Sequence, residues 1–248
     1  MKPSATRARP AFNSHSPETG GDYRIYVDAP TGAPGPWDSV LVMDGDYLFD
    51  AAAEAARSLR AEERIGPTAV VGVGYGAGFG KPGNHRGRDY TPTSSADEPT
   101  SGGADRFLRY LTGTLWPELA GRHPLRADRR AIAGHSLGSL LVLHAVFQPS
   151  PFFNAALASA PSIWWDNRSI LGLASALRDR SAELDASLYL CAGDQDSPSM
   201  TGDLALLEWQ LAERPFGRLR VSSERFAGRN HYDVVPHAMR AGLATLLV

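Results

Sequence analysis

Three features of the chain predict an α/β architecture, a mostly parallel central sheet flanked by helices on both faces. Short apolar, β-branched runs alternate with longer segments of helical periodicity. Most of those runs are continuously apolar, as expected of strands buried on both faces, rather than alternating. One of them, Ala131–Ala133, leads into Gly134-His135-Ser136-Leu137-Gly138, a glycine-bounded turn followed by another helical pattern.

Taken in order, Tyr23–Val27 alternates in the manner of an antiparallel edge strand. Val40–Met43, Ala69–Val73, Ala131–Ala133, Ala155–Ser159 and Leu188–Cys191 read as buried strands, with Leu219–Phe226 as the last. Helical patterns cover 50–64, 104–120, 139–147, 169–180, 202–213 and 234–247, with Asp50 and Thr201 as N-caps of the first and fifth. Pro149 stops the third. The region 75–103 is rich in Gly, Pro, Ser and Thr, so it reads as a long loop of the kind that binds or covers a ligand. Residues 1–20 are polar and read as a flexible lead-in, leaving 21–248 as a single domain.

The bulk composition excludes several classes. A chain of 248 residues with 43% hydrophobic and 21% charged content is long enough for one sizeable core. Its net charge of −2 gives no reason to expect nucleic acid or an anionic membrane as partner. One cysteine, Cys191, excludes an internal disulfide and sits in a strand-like run, where a small buried residue is expected. The seven histidines form no zinc-ligand spacing, so neither metal nor cofactor is expected. The glycines at 72, 74, 76, 78 and 80 are followed by Lys81-Pro82 rather than a helix, which argues against a nucleotide site. With no signal-like segment and no long apolar span, a cytoplasmic location is the expectation.

The pentapeptide around Ser136 has the G-x-S-x-G form of a nucleophile elbow, a sharp strand-to-helix turn that exposes a serine hydroxyl. At ordinary residue frequencies this pattern arises by chance in roughly one chain of this length in ten, so it needs support. Position supplies it. In parallel sheets ligands sit at the carboxyl ends of strands, and there lie Asp44-Gly45-Asp46, Ser136, Ala-Pro-Ser-Ile-Trp-Trp from residue 160, Asp194 and Asp196, and Asn230-His231. Serine needs a base to take its proton, and the order serine, acid, histidine is the one this architecture uses. His231, on a turn before the last helical pattern, is the candidate base; His237 lies within that pattern. Asp196 is preferred to Asp194 as the acid because two more residues extend its reach, its role being to orient the imidazole. The oxyanion donors expected are the backbone N–H groups of Leu137 and Asp46, each worth about 2.7–4 kcal/mol in the transition state.

Several stretches resemble the family of siderophore (catecholate trilactone) esterases, with esterase-D-like enzymes and mycolyltransferases as relatives. They are Tyr23–Val27, Leu41–Gly45, Arg88-Asp89-Tyr90-Thr91-Pro92-Thr93, Gly134–Gly138, Ser159–Trp165, and Asn230-His231 with Val234-Val235-Pro236. The resemblance implies an α/β-hydrolase fold without a large lid domain, Ser136 as nucleophile and His231 as base. The family often carries Gly-x-x-Glu where Gly193-Asp194-Gln195-Asp196 stands, which favours Asp196. Arg86 and Arg88 match basic residues that hold anionic substrate groups in siderophore-cleaving relatives; a structural pairing of Arg88 with Asp89 is the alternative. Trp164 and Trp165 are candidates for an aromatic pocket, with core packing as the other reading. The expected activity is serine ester hydrolysis through an acyl-enzyme, on a small-molecule ester or lactone. An acyltransferase or thioesterase on the same scaffold and a non-catalytic binding protein are its rivals.

Overall fold

The computed structural model describes residues 10–248. Eight strands form one sheet: β1 (Phe12–Ser16), β2 (Gly21–Asp28), β3 (Trp37–Val42), β4 (Thr68–Gly74), β5 (Leu125–His135), β6 (Ala155–Ser159), β7 (Ala186–Gly193) and β8 (Leu219–Phe226). Their spatial order is β1-β2-β4-β3-β5-β6-β7-β8. The β1–β2 and β2–β4 pairings are antiparallel and every later pairing is parallel. The continuously apolar runs thus occupy the middle of the sheet, where both faces are covered.

The helices are α1 (Gly45–Ala61), α2 (Arg86–Asp89), α3 (Ala104–Arg109), α4 (Trp116–Arg122), α5 (Leu137–Val146), α6 (Trp165–Arg180), α7 (Pro198–Glu213) and α8 (Val235–Leu246). Apolar residues of α1 and α8 pack with Val40, Val42, Val70 and Leu157 on one face of the sheet. Residues of α3 to α7 pack with Leu41, Val71, Ile132 and Leu188 on the other. Helix α5 is apolar all round and buried along most of its length, which makes the turn that feeds it part of the core.

Several local expectations are revised. Residues 12–16, expected as part of a flexible lead-in, form the edge strand β1, so β2 is not an edge. The strand was hidden because its inward side chains are Ser14 and Ser16, which are buried yet polar; Ser14 Oγ donates to Glu118 Oε2 at 3.1 Å. Residues 1–9 of the expected lead-in lie outside the described residues. Helix α1 begins at Gly45 rather than after Asp50, and Ser197, not Thr201, caps α7 by accepting from the Met200 amide. The single helix expected over 104–120 is α3 and α4 joined by a π-helical stretch, Tyr110–Leu115. The long loop contains one helical turn, α2.

That loop is tied down by Asp89, a fully buried carboxylate. Asp89 Oδ2 accepts from the hydroxyls of Tyr23 (2.8 Å) and Tyr75 (3.1 Å), and Oδ1 accepts from Arg88 Nε (2.7 Å). Removing one partner of a buried, hydrogen-bonded charge strands the others. Asp89→Ala is therefore expected to cost about 2–4 kcal/mol of stability. In thermal unfolding this corresponds to a fall of about 5–15 °C in Tm. A fall of less than a degree or two would show that the cluster does not anchor the loop.

Candidate active site

Strand β5 ends at His135, and Ser136 follows with φ 57° and ψ −122°, the sharp backbone turn of a nucleophile elbow. A non-glycine residue held at positive φ is strained, and it persists only where the surroundings enforce it. Close approach of strand and helix does the enforcing. A Cβ on Gly134 would lie 2.5 Å from the carbonyl carbon and oxygen of Gly138, so only glycine fits there.

His231 follows β8 and Asp196 follows β7. His231 Nδ1 lies 2.8 Å from Asp196 Oδ2, with the carboxylate almost wholly buried. Asp196 Oδ1 accepts from the Ser197 amide at 2.7 Å. Asp194 instead accepts from the Gly228 amide at 2.8 Å, stapling the acid loop to the histidine loop. His237 sits on α8 against Phe226, with ring centroids 5.9 Å apart.

His135, which the sequence reading passed over, packs its ring 4.5 Å from that of His231 and sets Nδ1 3.1 Å from Ser159 Oγ. Burial, reinforced by the charges of His231 and Arg86, pushes the His135 pKa down to about 3. It is therefore a neutral wall behind His231. The one cysteine, Cys191, is buried in β7, and burial pushes its thiol up to about 12. It is not a nucleophile at neutral pH.

Ser136 Oγ has its nearest hydrogen-bonding contact among the described residues with Ser162 Oγ, at 3.5 Å. The backbone N–H groups of Leu137 and Asp46 stand in the first turns of α5 and α1. Neither donates a hydrogen bond among the described residues, so both are available to a ligand oxygen. The Asp46 side chain is a strut: Oδ1 accepts from the Tyr26 hydroxyl (2.6 Å), and Oδ2 from the amides of Tyr75 (2.6 Å) and Gly76 (2.9 Å).

The basic and aromatic candidates separate into supports and exposed groups. Arg86 grips buried Asp44 with Nε (3.0 Å) and Nη2 (2.9 Å). Burial works against its charge, but Asp44 outweighs this and raises the Arg86 pKa. The guanidinium also lies 4.7 Å from the ring centroid of Phe79, which is 51% exposed and stacks on Tyr47. Arg88 is committed to Asp89, with Nη2 3.4 Å from the Tyr23 hydroxyl, so it supports the loop rather than lining a pocket. Trp165 is buried and donates from Nε1 to the Thr93 carbonyl at 3.2 Å, whereas Trp164 is 48% exposed. Sequence reasoning missed Asp44, His135 and Ser162. Asp44-Gly45-Asp46 and the A-P-S-I-W-W and G-H-S-L-G motifs contain all three, but those stretches alone assign them no role.

The fold and this arrangement define an α/β-hydrolase with a serine at the elbow and a histidine–carboxylate pair on the same sheet edge. The family model described as "Putative esterase" matches residues 16–222. The siderophore triacetylfusarinine C esterase of Aspergillus fumigatus is 33% identical over 204 residues, covering 79% of this chain and 70% of the relative. Ferri-bacillibactin esterase BesA of Bacillus subtilis is 28% identical over 235 residues, covering 86% of this chain and 81% of that protein. The siderophore hydrolase EstB from Aspergillus nidulans superposes with a TM-score of 0.82 at 28% identity, covering 100% of this chain and 98% of that one. The chain belongs to this esterase family and is an ester hydrolase.

Among the described residues no group of three or more His, Cys, Asp or Glu could hold a metal ion. No helix among them is long and apolar enough to cross a membrane.

Two outcomes follow from this geometry. A Cβ on Gly193, at the end of β7, would overlap the Arg229 carbonyl two residues before His231. Gly193→Ala is expected to destabilise by about 1–3 kcal/mol through overpacking. It should also lower kcat by more than it raises KM, because the acid and histidine loops are forced apart. Unchanged kinetics would show that this approach does not set the His231–Asp196 contact. The second outcome concerns acid stability. His135 binds a proton near pH 6.5 when unfolded but only near pH 3 when folded. Between those values the unfolded state holds more protons, so stability falls on acidification, by about 1.4 kcal/mol per pH unit. Over the range from about pH 7 to about pH 4.5, wild type should lose about 2–3 kcal/mol more than His135→Gln in urea titrations. Parallel losses would mean that native His135 takes up its proton.

Proposed function

We propose that the protein hydrolyses the ester bonds of a siderophore through an acyl-enzyme on Ser136. The observation that carries the mechanism is the 2.8 Å contact of His231 Nδ1 with buried Asp196, placed on the same strand-end edge as the elbow serine. The observation that carries the substrate class is that relatives from both fungi and bacteria are named for siderophore ester cleavage.

With Nδ1 turned to Asp196, His231 presents Nε2 as the base. It takes the Ser136 proton as Oγ attacks the ester carbonyl, through a hydrogen bond that forms in the substrate complex. Asp196 stabilises the imidazolium without taking the proton. Negative charge on the carbonyl oxygen rests on the Leu137 and Asp46 amides. His231 returns the proton to the leaving alcohol, then activates a water that releases the acid. Exposed Trp164, and Phe79 backed by Arg86, are the groups proposed to meet the substrate.

Ser136→Ala is expected to lower turnover by about 10⁶-fold and Asp196→Asn by about 10⁴-fold. The assay is mass spectrometry of hydroxamate and catecholate siderophore esters beside a simple aryl ester. Full turnover by Ser136→Ala would overturn the mechanism. Cleavage of aryl esters but of no siderophore would overturn the substrate class. Product appearing as a new ester with an added alcohol would indicate acyl transfer.

A further inference from the structure

We infer that Ser162 is a catalytic residue: its hydroxyl donates to Ser136 Oγ and stabilises that oxygen as it gains and sheds the acyl group. This rests on Ser136 being the nucleophile, as proposed above. The juxtaposition is direct. Ser162 is 2% exposed, its Oγ lies 3.5 Å from Ser136 Oγ, and its amide donates to the Ser136 carbonyl at 3.2 Å. Both its backbone and its side chain therefore address the elbow residue. Its hydroxyl has no other hydrogen-bond partner among the described residues, and a buried hydroxyl without one is costly.

The segment that carries Ser162 is held in place at a cost in backbone strain. Ala160 before it has φ 43°, and Asp166, Asn167 and Arg168 after it have φ 42°, 51° and 63°, none of them glycine. Such conformations persist where the surroundings over-determine them, and they gather at functional sites. The Ala160 amide donates to the Cys191 carbonyl at 2.7 Å, and Trp165 Nε1 to the Thr93 carbonyl, so the segment is pinned at both ends with Ser162 between.

Proton direction follows from the partners. Ser136 must give its proton to His231, so the only proton available between the two serines is that of Ser162. In acylation the Ser136 proton passes to His231 Nε2 as the Oγ–carbon bond forms, and from there to the leaving alcohol as its bond to the carbonyl carbon breaks. In deacylation water gives a proton to His231 as its oxygen bonds to carbon, and that proton passes to Oγ as the Oγ–carbon bond breaks. Ser162 keeps its own proton throughout. Its hydrogen bond is weak at 3.5 Å to a neutral hydroxyl and weak to an ester oxygen. It is strongest in the transition states between, when Oγ carries negative charge and draws the donor in. An interaction of that kind raises kcat rather than tightening substrate binding.

The test uses Ser162→Ala and Ser162→Thr with an aryl ester, read by pre-steady-state bursts, together with the rate of labelling by a fluorophosphonate. Ser162→Ala keeps the amide contact and removes only the hydroxyl. Acylation, deacylation and labelling are each expected to slow by about 10–100-fold with substrate affinity and Tm little changed. Ser162→Thr should recover most of the loss. Rates within about twofold of wild type in Ser162→Ala, or no recovery in Ser162→Thr, would overturn the inference. If Ser162→Ala does not fold, Ser162→Thr alone decides it, since a threonine enzyme as slow as Ser136→Ala shows the hydroxyl is not sufficient. Failure here leaves the Ser136 mechanism standing, whereas turnover by Ser136→Ala removes both.

Discussion

Everything at this site depends on the contact between strand β5 and helix α5. The two meet so closely at Gly134 and Gly138 that no side chain fits at Gly134. The chain can make that turn only by placing Ser136 in a backbone conformation that L-residues avoid. The strain has a use, because it lifts a hydroxyl out of the core and leaves the first amides of α5 without partners beside it. Burial of α5 on every face supplies the free energy that holds the turn. The serine is therefore presented by the core itself, not by a surface loop.

Around that point buried and half-buried carboxylates place the loops. Asp44 holds Arg86, Asp89 holds Arg88 and two tyrosines, and Asp46 gathers Tyr26 with the amides of Tyr75 and Gly76. All three carboxylates lie between the end of β3 and the start of α3, so the longest loop in the chain is held from beneath. A buried carboxylate that is fully hydrogen-bonded fixes geometry more sharply than apolar contact does, because its donors have defined directions. The loop is irregular but not loosely attached, and its exposed groups, Phe79 above all, rest on a stiff base.

The fold was legible in the sequence wherever burial was symmetrical. β6 runs between the residues expected, and the apolar runs at β3, β4, β5 and β7 mark their strands, since a strand covered on both faces leaves no other pattern; β8 also keeps its expected bounds, although it is an exposed margin strand. The elbow was legible because its glycines answer a local steric demand. β1 was not, since its inward positions are serines, Ser14 satisfied by Glu118 more than a hundred residues away and Ser16 by Glu18 in the following turn. Asp50 as a cap failed because the real start of α1 is set by Asp44, which pairs with Arg86 42 residues on. Asp196 could be preferred from reach and resemblance, but its separation from Asp194 in role rests on the Gly228 amide, a tertiary contact. Ser162 lay in a motif that could be quoted, yet its meeting with Ser136 depends on the register of β5 against β6.

Strand β8 lies at one margin of the sheet, and its residues 220–225 are exposed. Edge elements open locally at a fraction of the free energy needed to unfold the whole molecule. His231 is carried by the loop that leaves this strand, while Ser136 sits at the sheet's centre. Fraying at the margin would therefore withdraw the imidazole from Asp196 while the elbow and both cores stayed intact. With His231 as the proposed base, activity is expected to fall on warming before the fold melts.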